Sequence, residues 1–166
     1  INVIRETYDM DKIDLIYRDD MDICLTLKTE LGKRLFIESN LVIYAGVDYN
    51  LTKENCINKV IEKSNEIHNQ VYFVGIKNFG DNLNWITRIE KNNRALLRNK
   101  LPKKTIKAEE LDKSLIPKNN YISILDVLVD ENNTIIITDK QGRLISPDRH
   151  HLTYYGAIYV GKNLRI

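Results

Sequence analysis

Two short apolar runs that each end in glycine constrain the fold of this chain more than any other feature. Residues 41–46 and 71–75 are almost continuously apolar, which is typical of strands buried on both faces of a parallel sheet. Between them, residues 52–68 carry apolar side chains at helical spacing, with Thr52 as the predicted N-cap. A strand, a helix and a strand in this order predict a βαβ unit with a right-handed crossover. The chain is therefore expected to adopt an α/β fold with a mostly parallel sheet.

The remaining segments extend this pattern in both directions. Further strands are predicted from apolar runs at residues 2–4, 121–125, 134–138 and 143–145. Further helices are predicted from apolar periodicity at residues 20–33, 84–100, 108–115 and 153–164. In the helix at 84–100, the side chains expected to point inward are Trp85, Ile89, Leu96 and Leu97. Pro102 is expected to stop that helix, and Pro117 the next one. Gly142 supplies the positive φ that a turn between the last two strands needs, so we expect a β-hairpin before the last helix.

Length and composition bound the kind of protein but do not identify a partner. A chain of 166 residues, 43% of them hydrophobic, is long enough to bury one core, so a single domain over residues 1–166 is expected. Its 25 basic and 23 acidic residues leave a formal charge of +2, which predicts neither a nucleic-acid nor a membrane partner. Cys24 and Cys56 are too few for a zinc-ligand pattern, and a disulfide between them is left open.

The segment that carries chemistry lies near the end of the chain, where Asp148 precedes His151 by three positions in a loop that leads into the last helix. In a turn of this length the carboxylate can fold back onto the imidazole Nδ1, which fixes the tautomer and lets Nε2 take a proton from a nucleophile. Thr153 is expected to cap the helix, and Gly156 to allow close packing beneath the loop. Asp148 and His151 are thus a predicted acid–base pair for a serine.

This segment resembles the last motif of the SGNH (GDSL-like) hydrolase superfamily, Asp-x-x-His-Leu-Ser/Thr followed by Gly-Ala. In this chain the motif is Asp148-Arg149-His150-His151-Leu152-Thr153 with Gly156-Ala157. The hairpin before it is similar to that of SGNH domains attached to or working with membrane carbohydrate O-acyltransferases. The resemblance implies a three-layer α/β/α, flavodoxin-like fold, with Asp148 and His151 as catalytic acid and base and His150 as their neighbour. It also implies an acylated carbohydrate substrate, no metal and no organic cofactor, and it favours the cell envelope or periplasm over the cytoplasm.

The serine nucleophile of that superfamily lies in a Gly-Asp-Ser motif after the first strand, and no such tripeptide occurs here. The serines of this chain, none of which follows a strand in the expected way, are Ser39, Ser64, Ser114, Ser123 and Ser146. If residues 2–4 are the second strand of the family, the serine and the first βα unit precede Ile1, so we expect a domain that lacks this unit. The family's Gly-x-Asn-Asp oxyanion motif faces Gly46 and Asn50, with Asn50 displaced by two positions. Gly46 and Asn50 are therefore the candidates for oxyanion or substrate binding.

Several other interpretations are open at this stage. Taken alone, an Asp-x-x-His spacing is more often a helix-cap arrangement than a catalytic pair. The chain can also be a catalytically inactive SGNH-like module that binds a glycan or a protein, in which case no serine approaches His151. A thiol hydrolase would use Cys24 or Cys56, although both lie in predicted helices. Tyr154 and Tyr155 can stack on sugar rings, although packing on the helix surface is the more usual role of such residues.

Overall fold

The computed structural model describes residues 23–47, 54–80 and 83–164, apart from the side chains of residues 24, 25, 54 and 55. The predicted strand at residues 2–4, the predicted N-cap Thr52 and the site candidate Asn50 lie outside the described residues. Contacts divide the chain into two compact units. The sheet unit contains the described residues within 23–76 and 107–123, and the hairpin unit those within 77–106 and 124–164. The expected single domain over residues 1–166 stays a prediction.

The described residues form a mixed α/β fold with a parallel three-stranded sheet and an antiparallel strand pair, as the fold class predicted from the sequence requires. The helices are α1 (Cys24–Lys28), α2 (Glu30–Glu38), α3 (Glu54–Ile67), α4 (Lys103–Leu115), α5 (Leu125–Leu128) and α6 (Tyr154–Asn163). The strands are β1 (Leu41–Val47), β2 (Gln70–Gly75), β3 (Arg98–Lys100), β4 (Tyr121–Ile122) and β5 (Thr134–Ile136). Short 3-10 helices cover Leu83–Arg88, Lys91–Asn93 and Lys118–Asn120. Across the described ranges, no helix is both long enough and apolar enough to cross a membrane.

The parallel sheet organises the sheet unit. Its strand order is β1-β2-β4, and the register places Val42 opposite Val71 and Phe73 opposite Tyr121. Because α3 lies between β1 and β2 in the chain, the predicted βαβ unit is confirmed. The strand predicted at residues 121–125 ends early, at Ile122, because the chain turns into α5 directly afterwards.

Apolar side chains from α2, α3 and β2 form the core of the sheet unit. Ile57, Val60 and Phe73 have no solvent-accessible surface, and they share one cluster with Phe36. Tyr44 of β1 stacks on Phe73 with the ring centroids 5.3 Å apart. Burying one such apolar side chain stabilises a fold by about 1.5–3 kcal/mol, so this cluster holds α2 and α3 on the sheet.

The helix predicted at residues 20–33 is wrong in its bounds. In the described part the chain forms α1 and then a separate helix, α2, because Thr29 leaves the helical conformation with a ψ of 146°. The Thr29 hydroxyl accepts a hydrogen bond from the Gly32 N–H at 3.1 Å, so it acts as the N-cap of α2. α2 then continues to Glu38, past the predicted end.

The helix predicted at residues 84–100 is also wrong. Two 3-10 turns replace its first part, and its last residues form β3, which pairs antiparallel with β5 so that Arg98 faces Ile136. Leu96, expected to point inward, is 48% exposed and has a φ of 54°, a value that a right-handed helix excludes. Pro102 therefore ends no helix. It precedes α4, and its carbonyl accepts the Thr105 N–H at 2.9 Å. α4 therefore begins at Lys103, five residues before the predicted start at 108. It ends at Leu115, before Pro117, as predicted.

A hairpin precedes the last helix of the hairpin unit. Thr138 and Leu144 form an isolated antiparallel bridge, and the Ile145 N–H donates to the Ile137 carbonyl at 2.7 Å. At the turn, Gly142 has a φ of 72° and its N–H donates to the Asp139 carbonyl at 3.0 Å. The predicted turn at Gly142 and the last helix α6 are confirmed. The strands predicted at residues 134–138 and 143–145 are shorter than expected, since the first ends at Ile136 and the second is reduced to the single bridge at Leu144.

Candidate active site

The Asp148 carboxylate uses both of its oxygens within the loop between the hairpin and α6. Oδ1 accepts the backbone N–H groups of His150 at 2.8 Å and of His151 at 2.9 Å. Oδ2 lies 2.7 Å from His151 Nδ1. The loop thus folds the acid back onto the histidine three residues later, and the predicted contact between Asp148 and the imidazole Nδ1 is confirmed. The catalytic role of the two residues stays a prediction.

These hydrogen bonds fix the charge of Asp148 and the tautomer of His151. The backbone N–H groups of His150 and His151, and then the His151 side chain, lower the pKa of Asp148 from 3.8 to about 2. The carboxylate is therefore ionised near neutral pH, and an ionised carboxylate only accepts hydrogen bonds. Nδ1 must then carry the proton, which leaves Nε2 as the nitrogen with a free lone pair.

Nε2 of His151 is open to an incoming group. The His151 side chain is 77% exposed, and no residue in the described part of the chain hydrogen-bonds to Nε2. An oriented imidazole with an accessible, unprotonated nitrogen is what a general base requires. The arrangement can therefore take a proton from a hydroxyl that approaches Nε2 and return it to a leaving group.

Ser146 holds the loop from beneath. Its side chain has no solvent-accessible surface. Its Oγ contacts the carbonyl oxygens of Asp148 and His151, the second at 2.5 Å, and accepts the Asp148 N–H at 3.3 Å. One buried hydroxyl thus ties together both ends of the Asp148–His151 loop. No sequence pattern predicts this role for Ser146, because it depends on the burial of the side chain in the folded protein.

The start of α6 fixes the other side of the loop. Thr153 is the N-cap of α6, and its hydroxyl accepts the Gly156 N–H at 3.0 Å, as predicted. The Thr153 backbone N–H donates to the Ile145 carbonyl at 2.9 Å, which joins the helix start to the hairpin. A Cβ on Gly156 would lie 2.0 Å from the Ile145 carbonyl oxygen. The predicted close packing at Gly156 is therefore confirmed, and any side chain there would separate α6 from the hairpin.

A second segment of the hairpin unit, residues 77–80, supports the loop from outside its own sequence neighbourhood. The Phe79 N–H donates to the Arg149 carbonyl at 2.9 Å, and Asn78 is buried with its Oδ1 accepting the Gly80 N–H at 2.9 Å. Burial lowers the pKa of Lys77, and the negative charge of Asp148 opposes that shift. Residues 77–80 were not among the site candidates predicted from the sequence. The available signal was the polar pair Lys77-Asn78 followed by Gly80 directly after a buried parallel strand, where α/β ligands bind.

Of the two other candidates, the structure describes only Gly46. Gly46 lies in β1, at a register irregularity between Ala45 and Val47, with a φ of 80°. It belongs to the sheet unit, whereas Asp148 and His151 belong to the hairpin unit. Asn50 lies outside the described residues. The roles of Gly46 and Asn50 in oxyanion or substrate binding stay predictions.

Every serine hydroxyl of the chain already donates a hydrogen bond to an acceptor close by. The pairs of donor and acceptor residue are Ser39 with Leu35, Ser64 with Asn69, Ser114 with Leu111, Ser123 with Glu109, and Ser146 with Asp148. Ser123 follows β4 directly, but it is buried and its hydroxyl donates to the Glu109 carboxylate. Cys56 takes part in a disulfide bond, so it offers no thiolate for the thiol-hydrolase interpretation. Among the described side chains, no group of three or more His, Cys, Asp or Glu is arranged to hold a metal ion.

Comparison with known proteins adds no relative to this description. No family model matches the sequence, and no curated protein and no solved structure is significantly similar to the chain.

Proposed function

We propose that this chain supplies the acid–base pair of an SGNH-type serine esterase or O-acyltransferase, acting on acyl esters, foremost acetyl esters, of a cell-surface carbohydrate. The observation that carries the proposal is the 2.7 Å contact between Asp148 Oδ2 and His151 Nδ1, which leaves an exposed Nε2 as the base. The Asp-x-x-His-Leu-Thr motif with Gly156-Ala157 is the sequence feature that directs this base toward an SGNH-type reaction.

The pair would serve a two-step acyl transfer. Nε2 of His151 takes the proton of a serine hydroxyl as its oxygen attacks the ester carbonyl, and Asp148 stabilises the imidazolium that forms. The imidazolium then gives the proton to the sugar oxygen as the ester bond breaks, which leaves an acyl-serine. In the second step Nε2 activates water or an acceptor hydroxyl, which takes the acyl group and restores the serine.

The serine of this mechanism is proposed to lie in sequence that precedes Ile1. The hydrogen bonds of the five serines in this chain support this assignment, since each hydroxyl already donates to an acceptor within the chain. The test is to read roughly 60 codons upstream of Ile1, about one βα unit with a margin. A Gly-Asp-Ser after an apolar strand supports the assignment, and a start codon near Ile1 without that motif contradicts it.

The catalytic role of the pair is tested by measuring acetate release from O-acetylated polysaccharide by the full-length protein. We expect His151→Ala to lower the rate by about 10²–10⁴-fold, the usual contribution of general acid–base catalysis. Asp148→Ala should lower it too, because the imidazole then loses its fixed tautomer. His150→Ala is the matched control, since only its backbone N–H contacts Asp148, and it should retain activity. Equal loss in the His150 and His151 variants would contradict the assignment.

A catalytically inactive module that binds a glycan is the second candidate function. The observation that favours it is the engagement of every serine hydroxyl with a local acceptor. It predicts no acetate release by the full-length protein and no Gly-Asp-Ser upstream. The proposed O-acyltransferase function instead implies that a membrane acyltransferase domain is the partner that supplies the acyl group, and that the protein acts in the cell envelope.

A further inference from the structure

Two tyrosines that follow the candidate base directly are exposed to solvent. The Tyr154 residue is 56% exposed and the Tyr155 residue 45% exposed, on the first turn of α6. Tyr154 follows His151 by three positions, so their Cα atoms lie at most about 11 Å apart. Solvent-exposed aromatic rings beside a candidate site indicate a binding surface, because a ligand that covers them removes apolar area from water.

The rings are held in a defined arrangement. Tyr154 and Tyr155 meet edge to face, with centroids 5.7 Å apart and an interplanar angle of 71°. The Arg143 guanidinium lies over the Tyr155 ring, with its Cζ 4.4 Å from the centroid. Arg143 is in turn fixed by Asp139, whose Oδ2 lies 2.6 Å from its Nε. Asp139 is buried, and its Oδ1 accepts the backbone N–H groups of Gln141 and Arg143 at 2.9 Å each.

This arrangement assigns different tasks to the two rings. Arg143 covers one face of Tyr155, so Tyr155 is oriented and serves as a support. The more exposed ring is that of Tyr154, which can offer a face to a ligand. The rim of the pair is polar, with the guanidinium of Arg143 and two phenol hydroxyls as hydrogen-bonding groups.

The exposed area of the two tyrosines fits a small ligand better than a protein. An aromatic side chain buries about 150–250 Å² when it is fully covered, so two half-exposed tyrosines offer about 200 Å². A stable protein interface needs about 800 Å² on each partner. The patch therefore fits one ring of a sugar, whose flat faces carry C–H bonds and whose rim carries hydroxyl groups.

We propose that Tyr154, supported by Tyr155 and Arg143, is the platform on which a pyranose ring of the substrate stacks, with its ester directed toward His151. The link to ester chemistry rests on the proposed function, whereas the binding of the sugar can be measured without it. Carbohydrate stacking was the less usual of the two roles considered for these tyrosines from the sequence, and their exposure is what now favours it.

The test is an NMR titration of the full chain with mono-O-acetylated methyl pyranosides of gluco, galacto and manno configuration. We expect at least one of them to bind with upfield shifts of its ring C–H protons, caused by the tyrosine ring current. Tyr154→Ala should weaken that binding at least about tenfold, the loss of one well-packed aromatic contact. Tyr154→Phe, which keeps the ring, should retain it. The control is Ile37→Ala, which removes an equally exposed apolar side chain, 58% accessible, from the sheet unit.

Binding of no pyranoside, or unchanged binding in Tyr154→Ala, overturns the platform, and so does a Tyr154→Phe variant as weak as Tyr154→Ala. Acetate release by the full-length protein separates this result from the proposed function. Tyrosine-dependent binding without acetate release keeps the platform and rejects the esterase. Acetate release that depends on His151 but whose KM is unchanged in Tyr154→Ala keeps the esterase and rejects the platform.

Discussion

Replacing Ser146 with alanine removes the buried hydroxyl beneath the Asp148–His151 loop. The Ser146 Oγ contacts the carbonyl oxygens of both residues and is closed to solvent. A hydroxyl carries a single proton, so alanine removes one donated hydrogen bond and leaves a partly buried carbonyl oxygen without that donor. The lost bond costs about 1 kcal/mol, and an unsatisfied partner about 1–3 kcal/mol when fully buried. Because the carbonyl oxygen is only partly buried, we expect Ser146→Ala to lower the free energy of unfolding by about 1–2 kcal/mol.

Urea denaturation followed by circular dichroism measures this change, provided that the m-value is the same in both proteins. Ser114→Ala is the matched control, because the Ser114 hydroxyl donates to the Leu111 carbonyl at 2.8 Å in an exposed part of α4. A surface change of that kind should stay within about 0.5 kcal/mol of the wild type. If Ser146→Ala were as mild as Ser114→Ala, the hydroxyl would not hold the loop and the reasoning would be refuted.

Three further changes test the surroundings of the loop. Because the pKa of Asp148 is about 2 in the folded chain and 3.8 ordinarily, its hydrogen bonds stabilise the fold above pH 3.8 and lose this effect as the pH falls through 2. A carboxyl ¹³C titration of Asp148 should show the low midpoint, and a midpoint near 3.8 would reject it. Gly156→Ala, whose Cβ would lie 2.0 Å from the Ile145 carbonyl oxygen, should destabilise the fold by about 1–3 kcal/mol in thermal denaturation. Thr153→Ala should cost about 1 kcal/mol through loss of the α6 cap, and an unchanged midpoint would contradict that role.

The elements that the sequence predicted well are those whose signal is local. β1, α3 and β2 follow from two apolar runs and one helical period, and both Gly142 and Thr153 act where turn and cap chemistry placed them. The helix prediction for residues 84–100 is wrong because the conformation of this segment depends on a strand that is distant in the sequence. Arg98–Lys100 forms β3 by pairing with Thr134–Ile136, and no pattern within residues 84–100 predicts that pairing. Asparagines at 84, 92 and 93 and β-branched residues at 86, 87 and 89 also lower the helix propensity of this segment.

The same distinction applies to the candidate site. The contact between Asp148 and His151 was predictable because the two residues lie three positions apart in one loop. The support from Phe79 to the Arg149 carbonyl was not, since about 70 residues of chain separate the two. Ser146 was visible in the sequence, but its burial beneath the loop, which gives it a structural role, is a property of the folded chain. Membership of the SGNH superfamily and the position of the nucleophile stay predictions.

The orientation of His151 by Asp148 is tested most directly by the tautomer of its imidazole. Long-range ¹H–¹⁵N correlation spectra of ¹⁵N-histidine-labelled protein distinguish the two ring nitrogens, and His150 serves as an internal comparison. We expect His151 to show a protonated Nδ1 and an unprotonated Nε2 at a pH where it is neutral, and Asp148→Asn to remove that preference. A His151 with the proton on Nε2, or one that Asp148→Asn leaves unchanged, would contradict the claim that this pair presents a base.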